Sequence, residues 1–217
     1  MKEDTLVVHE IYRSVQGEST FAGLPCTFVR LTGCNLRCSW CDTPQAFYGG
    51  KRMQRRDVLG QALALGTPLV ELTGGEPLLQ PGARVLLAEL CDAGRTVLIE
   101  TSGEADVAGV DPRVHKIMDL KAPGSGEAHR NRWSNLEHLT SRDEIKFVLA
   151  GRADYEWMRA VIRERALADR GVALLASCVF GALKPRDLVA WVLEDALPVR
   201  VQIQMHKVIW SPDAQGV

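Results

Sequence analysis

Three cysteines fall within eight residues in the stretch Cys34-Asn35-Leu36-Arg37-Cys38-Ser39-Trp40-Cys41-Asp42-Thr43, directly after an apolar run and Gly33. Three close thiols are a poor match to disulfides, which take cysteines in pairs. They also fall one short of the four ligands of a closed zinc site. They suit a four-iron, four-sulfur cluster in which one iron keeps no protein ligand. An open iron is a reactive iron, so the spacing points to chemistry rather than to a staple. The competing reading is a structural zinc knob that borrows His9 or His206, although zinc sites usually pair C-x-x-C units. Cys26, Cys91 and Cys178 lie scattered in apolar segments and read as small buried hydrophobes.

The elements that must carry this loop follow from periodicity. Leu6 to Val15 and Cys26 to Leu31 are β-rich runs separated by the turn Gln16-Gly17-Glu18-Ser19. Beyond the cysteine loop, strands are predicted at Pro68 to Leu72, Thr96 to Glu100, Lys116 to Leu120, Glu144 to Leu149, Val172 to Ala176 and Val199 to Met205. Helices are predicted over Arg55 to Leu65, Ala83 to Ala93, Tyr155 to Leu167 and Pro185 to Leu193. Strands alternating with helices imply an α/β fold with a parallel sheet and right-handed crossovers. The length leaves no room for eight βα units, so the expectation is an incomplete (β/α)6-type barrel of about six strands. An open doubly wound sheet shares the same pattern. In either fold ligands bind at the carboxyl ends of the strands, where Thr73 to Pro77, Glu100 to Gly103, Lys121, Ser177 and His206 all fall.

At 217 residues, with no repeat or linker in view, residues 1–217 read as a single domain. A hydrophobic content of 46% fills a core, and a formal net charge of −1 argues against direct nucleic-acid binding. Met1-Lys2-Glu3-Asp4 does not open a signal peptide, and no apolar run has membrane-spanning length. The expected location is therefore cytoplasmic, where clustered cysteines bind metal or do chemistry.

The spacing C-x3-C-x2-C, with Trp40 immediately before Cys41, resembles the signature of the radical S-adenosylmethionine (SAM) enzymes. Thr73-Gly74-Gly75-Glu76-Pro77, placed after a predicted strand, is similar to the second motif of that superfamily. The resemblance implies a [4Fe-4S] cluster on Cys34, Cys38 and Cys41, with SAM chelating the open iron and yielding a 5′-deoxyadenosyl radical inside a packed barrel. Carried over by position, the Gly75 backbone and the Glu76 carboxylate would hold the methionine amino group. Ser102, Asp119 and Lys121 would approach its carboxylate and ribose, and Ser177 with Cys178 to Phe180 would flank the adenine.

Glu10-Ile11-Tyr12-Arg13-Ser14-Val15-Gln16-Gly17-Glu18-Ser19, Cys41-Asp42-Thr43 and Gln204-Met205-His206-Lys207 together resemble the 7-carboxy-7-deazaguanine synthases, from Glu10 to Pro212. That family contracts the ring of 6-carboxy-5,6,7,8-tetrahydropterin with loss of ammonia, on the route to queuosine and other 7-deazapurines. The resemblance implies that Gln16 and Glu18, with backbone at Val15 and Gly17, read the pterin's amide and amino edge. Arg30 would pair with the substrate carboxylate, and Thr73 and His206 would touch substrate. Thr43 would offer its hydroxyl to Mg2+, which substrate oxygens and water complete. Glu100 stands on the rim as a possible SAM or catalytic contact. A homodimer and a flavodoxin- or ferredoxin-type electron donor are also implied.

Asp119-Leu120-Lys121 departs from the Ser-Pro-Lys of other members, and the tail Ser211 to Val217 runs past the end of shorter ones. The nearest rival is a radical SAM activase that places a glycyl radical on a partner protein. Against it stands the Gln16-Gly17-Glu18 turn with Arg30, which suits a small heterocyclic acid.

Overall fold

The computed structural model describes residues 3–211 and 214–216. Strand β1 (Thr5–Val15) pairs antiparallel with β2 (Pro25–Leu31) on one side and with β3 (Lys51–Gln54) on the other. From β2 the sheet runs parallel through β4 (Leu69–Gly74), β5 (Thr96–Thr101), β6 (His115–Asp119), β7 (Glu144–Leu149), β8 (Ala173–Cys178) and β9 (Arg200–Gln202). Each of these strands pairs with its successor, so the order never reverses. Right-handed crossovers then all fall on one face, and the bare face curls inward as an incomplete barrel. A doubly wound sheet would reverse its order at a switch point; this one does not.

The crossover helices are α1 (Arg55–Ala64), α2 (Gly82–Asp92), α3 (Arg152–Glu164) and α4 (Pro185–Glu194), with the short α5 (Met205–Ile209) after β9. Helix α2 turns Ala83, Leu86, Leu87 and Leu90 onto the sheet, all fully buried. That spacing lays one apolar stripe on the core, and each buried leucine contributes roughly 1.5–3 kcal/mol. Helix α3 does the same with Tyr155, Met158, Val161 and Ile162 against β6 to β8. The outer layer thus forms two cores, one under α1 and α2 and one under α3 and α4.

Inside the barrel, Cys26, Phe28, Leu69, Leu98 and Ile117 pack with Tyr12 and Phe21 and plug the amino-terminal end. Side chains on a strand return to the same face every second residue. Two steps past this plug the inward positions become Arg30 on β2, Glu71 and Thr73 on β4, Glu100 on β5 and Asp119 on β6. The apolar plug and the polar rim are therefore two registers of the same strands.

The expected incomplete barrel is present, with seven parallel strands among the described residues where about six are expected, and β1 and β3 added antiparallel. Two details of the chain differ from expectation. Lys51–Gln54 forms a strand that its pattern does not announce, because it is polar and almost wholly exposed, as an edge strand is. The last strand stops at Gln202 instead of running to Met205, because Met205 N donates to Gly17 O at 3.1 Å and draws the chain off the sheet. His206 therefore stands in α5, not at a strand end. The β5–β6 and β6–β7 connections carry no α-helix, only loops and 3-10 turns.

The barrel remains open sideways between β1 and β9, and the turn after β1 spans the gap. Ser19 N donates to Gln202 Oε1 at 3.0 Å and Gln202 Nε2 returns to Ser19 O at 2.7 Å. Gln204 Nε2 donates to Glu18 Oε1 at 2.7 Å, and Thr20 N to Glu144 at 3.0 Å. Residues 17–20 clasp β7, β9 and the start of α5 through these polar contacts, together with an ion pair from Glu18 to Lys146 of β7.

Candidate active site

A cavity of about 660 Å³ opens at the carboxyl ends of the strands. Cys34, Cys38, Cys41, Thr43, Val15, Gln16, Gly17, Glu18, Arg30, Thr73, Gly75, Glu100, Ser102, Asp119, Lys121 and His206 all line it. Two expected residues do not. Glu76 and Ser177 are each 1% exposed and lie behind its wall.

The cysteine loop is held from below and from the side. Leu36 buries its side chain, and Gly33 N donates to Ala46 O at 2.8 Å. Ser39 Oγ donates to Gly124 O at 2.7 Å and Ser39 N to Ser125 O at 3.0 Å, tying the loop to the β6–β7 connection. Arg37 folds back to donate to Cys34 O at 2.8 Å while its guanidinium lies 4.3 Å over the Phe47 ring. Burial pushes all three thiols above their ordinary value. They are protonated when free, and binding a cluster must displace those protons. Among the described residues no three His, Cys, Asp or Glu side chains converge on a single-ion site. The thiols instead ring the cavity wall.

The glycine turn after β4 fits a cluster beside this loop. Glu76 N donates to Gly33 O at 2.8 Å, so the two loops touch through backbone. A Cβ on Gly75 would lie 2.3 Å from Gly33 O and 2.8 Å from Cys34 Cβ. Only glycine lets them meet. The Glu76 carboxylate is used up inside the protein: it accepts from Leu78 N at 2.9 Å, Ser102 N at 2.6 Å, Ser102 Oγ at 2.7 Å and Thr101 Oγ1 at 2.9 Å. It welds the glycine turn to the end of β5. Contacts from this motif to a ligand thus fall to backbone at Gly74 and Gly75, which line the cavity.

Lys121 Nζ sits 2.6 Å from Asp119 Oδ2, and Asn131 clamps the Lys121 backbone through bonds of 2.8 and 2.9 Å. Lys146 stands at the centre, where its ammonium lies 2.7 Å from Glu18, 3.2 Å from Glu100 and 3.5 Å from Asp119. An ammonium so buried is costly unless paired. Its carboxylate neighbours outweigh burial and raise its pKa well above the ordinary value. Glu71 lies deeper, and Gln16 Nε2 donates to it. Burial, with the Glu100 carboxylate next, holds the Glu71 carboxyl well above its usual range.

On the other wall, Arg30 Nε donates to Glu10 Oε1 at 2.7 Å and Nη2 to Tyr12 Oη at 3.0 Å, while Tyr12 stacks on Phe28 at 5.1 Å. The guanidinium is oriented with Nη1 still to offer. Gly17 passes so close to His206 that a Cβ would meet Nδ1 at 2.9 Å. Burial lowers the His206 pKa, which keeps the imidazole neutral at pH 7. Thr43 Oγ1 donates to Asp42 Oδ1 at 3.0 Å, and Lys207 Nζ lies 3.4 Å from Asp42 Oδ2. With its proton given to Asp42, the Thr43 oxygen presents lone pairs, as a cation ligand must.

Sequence reasoning missed Lys146, Glu71, Glu10, Tyr12, Phe28, Asp42 and Gln204 as cavity residues. A signal existed for two. Lys146 and Glu71 each interrupt an apolar strand run, Glu144–Leu149 and Leu69–Gly74, at an inward position. Of the segment expected against adenine, Val179 and Phe180 line the cavity and Ser177 and Cys178 do not. Ala214 to Gly216 of the tail also line it, whereas Pro212 lies outside the described residues.

Comparison with known proteins agrees with this geometry. Residues 28–164 match the radical SAM superfamily. The chain is 48% identical to a 7-carboxy-7-deazaguanine synthase of Koribacter versatilis, over 97% of this chain and 99% of that protein. It is 47% identical to one of Chlorobaculum tepidum, over 99% of each. The crystal structure of QueE from Escherichia coli has the same fold, with a TM-score of 0.71 at 23% identity over 93% of this chain and 95% of that one.

Proposed function

The chain belongs to the 7-carboxy-7-deazaguanine synthases of the radical SAM superfamily, and from that premise we propose how its residues divide the work. The enzyme is a lyase that contracts the ring of 6-carboxy-5,6,7,8-tetrahydropterin to 7-carboxy-7-deazaguanine with release of ammonia, in 7-deazapurine biosynthesis. The superfamily uses a [4Fe-4S] cluster and SAM, which when bound supply a hydrogen-abstracting carbon radical. Cys34, Cys38 and Cys41 hold the cluster. Backbone at Gly75 receives the amino end of SAM, and Ser102, Asp119 and Lys121 its carboxylate and ribose. Ser177, buried behind the wall, acts on the adenine side through the chain that leads to Val179 and Phe180.

Gln16, Glu18 and backbone at Val15 and Gly17 read the donor edge of the pterin, and Thr73 and neutral His206 touch the ring. Arg30, aimed by Glu10 and Tyr12, takes the substrate carboxylate on its remaining N–H groups. Thr43 gives its hydroxyl oxygen to Mg2+, with substrate and water completing the shell. Glu100, which also lines the cavity, contacts SAM or the reacting atoms. A single domain carries all of this, in a cytoplasmic homodimer fed by a flavodoxin- or ferredoxin-type donor. Among the described residues no helix is long and apolar enough to cross a membrane.

One observation carries this division. Lys146 reaches both Glu18, on the pterin side, and Asp119, on the SAM side, so the two half-sites share one cavity and one ammonium. The test is anaerobic reconstitution followed by incubation with carboxytetrahydropterin, SAM, Mg2+ and a reductant. The deazaguanine chromophore is expected, with SAM not consumed in proportion to product. An intact cluster without that chromophore would sink the reading, and stoichiometric zinc in place of iron would sink it earlier.

A further inference from the structure

Glu71 stands on the inward face of β4, between Leu69 in the apolar plug and Thr73 at the rim. It is 1% exposed and borders the cavity floor. Among the described residues no lysine or arginine forms an ion pair with it: Lys146 is taken by Glu18, Glu100 and Asp119, and Arg30 by Glu10. Its side-chain partner is the Gln16 amide, whose Nε2 donates to Glu71 Oε2.

The other end of that amide is committed as well. Glu18 N donates to Gln16 Oε1 at 2.8 Å. A backbone N–H can only donate, so the amide oxygen must face it and the NH2 must face Glu71. One N–H and one lone pair of Gln16 are left for the cavity that it lines. Glu18 N distinguishes the two ends of the amide, and without Glu71 the NH2 end loses the partner that holds it in place below the ring.

We propose that Glu71 is a positioning residue for pterin recognition: with Glu18 N fixing which end of the Gln16 amide faces which way, Glu71 holds the NH2 end in place and so keeps the remaining N–H and lone pair aimed at the hydrogen-bonding edge that this wall accepts. The role rests on Gln16 and Glu18 reading the pterin, as proposed above. A carboxyl that is buried, lacks a cation and accepts from an amide is suited to the work as an uncharged acid. The elevated pKa, from burial and the Glu100 carboxylate, agrees with that form. An uncharged acid can be replaced by an amide whose carbonyl accepts the same N–H.

Wild type, Glu71→Gln and Glu71→Leu are compared, each also in the Gln16→Ala background, all with cluster loaded. The KM for carboxytetrahydropterin, kcat and SAM affinity are measured, with iron content and thermal unfolding as checks on folding. Glu71→Leu should raise KM about tenfold with kcat and SAM affinity changed less than about threefold. Glu71→Gln, whose carbonyl accepts the same N–H, should stay within about threefold of wild type in KM. In the Gln16→Ala background neither change should add more than about twofold. Should Glu71→Leu fail to take up iron, Glu71→Met closes the cycle with a flexible chain of similar size.

An unchanged KM in Glu71→Leu overturns the proposal. So does Glu71→Gln as damaging as Glu71→Leu, which would mean that the charge is needed, and so does a full penalty in the Gln16→Ala background. Wild-type protein that binds SAM but neither binds nor converts the pterin removes the substrate reading itself. An active wild type with an indifferent Glu71→Leu removes only the positioning role.

Discussion

At the scale of single residues, the site depends on atoms that are absent as much as on those present. Gly75 has no Cβ, and the cysteine loop occupies that space. Gly75→Ala should push Gly33 and Cys34 away, because the nearest contacts are backbone that cannot swing aside. The expected outcome is a protein that folds but retains less than about a tenth of wild-type iron after reconstitution, since one thiolate ligand is displaced. Full iron content with normal visible absorption would contradict it.

Glu71 also ties the stability of the fold to pH. Its folded-state pKa lies above the usual 4.5, so the native protein keeps a proton that the unfolded chain releases. Stability then falls as pH rises through that window. Glu100, Lys146, Glu18 and Arg30 all face the group, and Glu100 reinforces the direction. Glu71→Gln should therefore unfold at a higher temperature than wild type at pH 8, with the gap narrowing toward pH 5. An equal gap at both pH values would refute the linkage. The sequence made the outer ring of this site legible through motifs, whereas Glu71 and Lys146 show in it only as single charges interrupting apolar strand runs. Their meaning lies in which face of the strand they occupy, and a strand buried on both faces has no alternation to reveal it.

At the scale of elements, the long helices announced themselves because one face is apolar at helical spacing. The β5–β6 and β6–β7 connections did not, since loops keep their shape by hydrogen bonds to specific atoms. Asn135 is such a fastener. Fully buried, it donates to Gly103 O at 3.0 Å and Ala105 O at 2.8 Å. Asn135→Ala takes the side-chain partner from Ala105 O and from Val107 N, leaves Gly103 O with Arg132 N alone, and should cost about 1–3 kcal/mol, or roughly 2–4 °C in Tm per kcal/mol for a chain of this size. Because Gly103 follows Ser102, SAM affinity should fall alongside. Thermal unfolding and SAM titration check both, and a change in neither would mean that the loop holds itself. The edge strand β3 and the helix at His206 escaped prediction for a related reason: partners distant in sequence decide them.

At the scale of the whole molecule, the strand order was foreseeable and the closure was not. Alternating strands and helices imply neighbours in sequence order, whereas seven parallel strands still leave a seam between β1 and β9. The residues that cross that seam, Gly17 to Thr20 with Gln202, Gln204 and Met205, adjoin or include those proposed to read the substrate. Local opening is cheapest where backbone is held by few bonds and little apolar burial. The amides of Ser19 and Met205 should therefore exchange hydrogen together, faster than those of β4 and β5. Pterin, but not SAM alone, should slow them. Exchange that stays the same with pterin bound would separate the seam from the site. If the two move together, occupancy is written into the mechanical integrity of the barrel: an empty enzyme is a sheet with a loose edge, and its substrate is the last stitch.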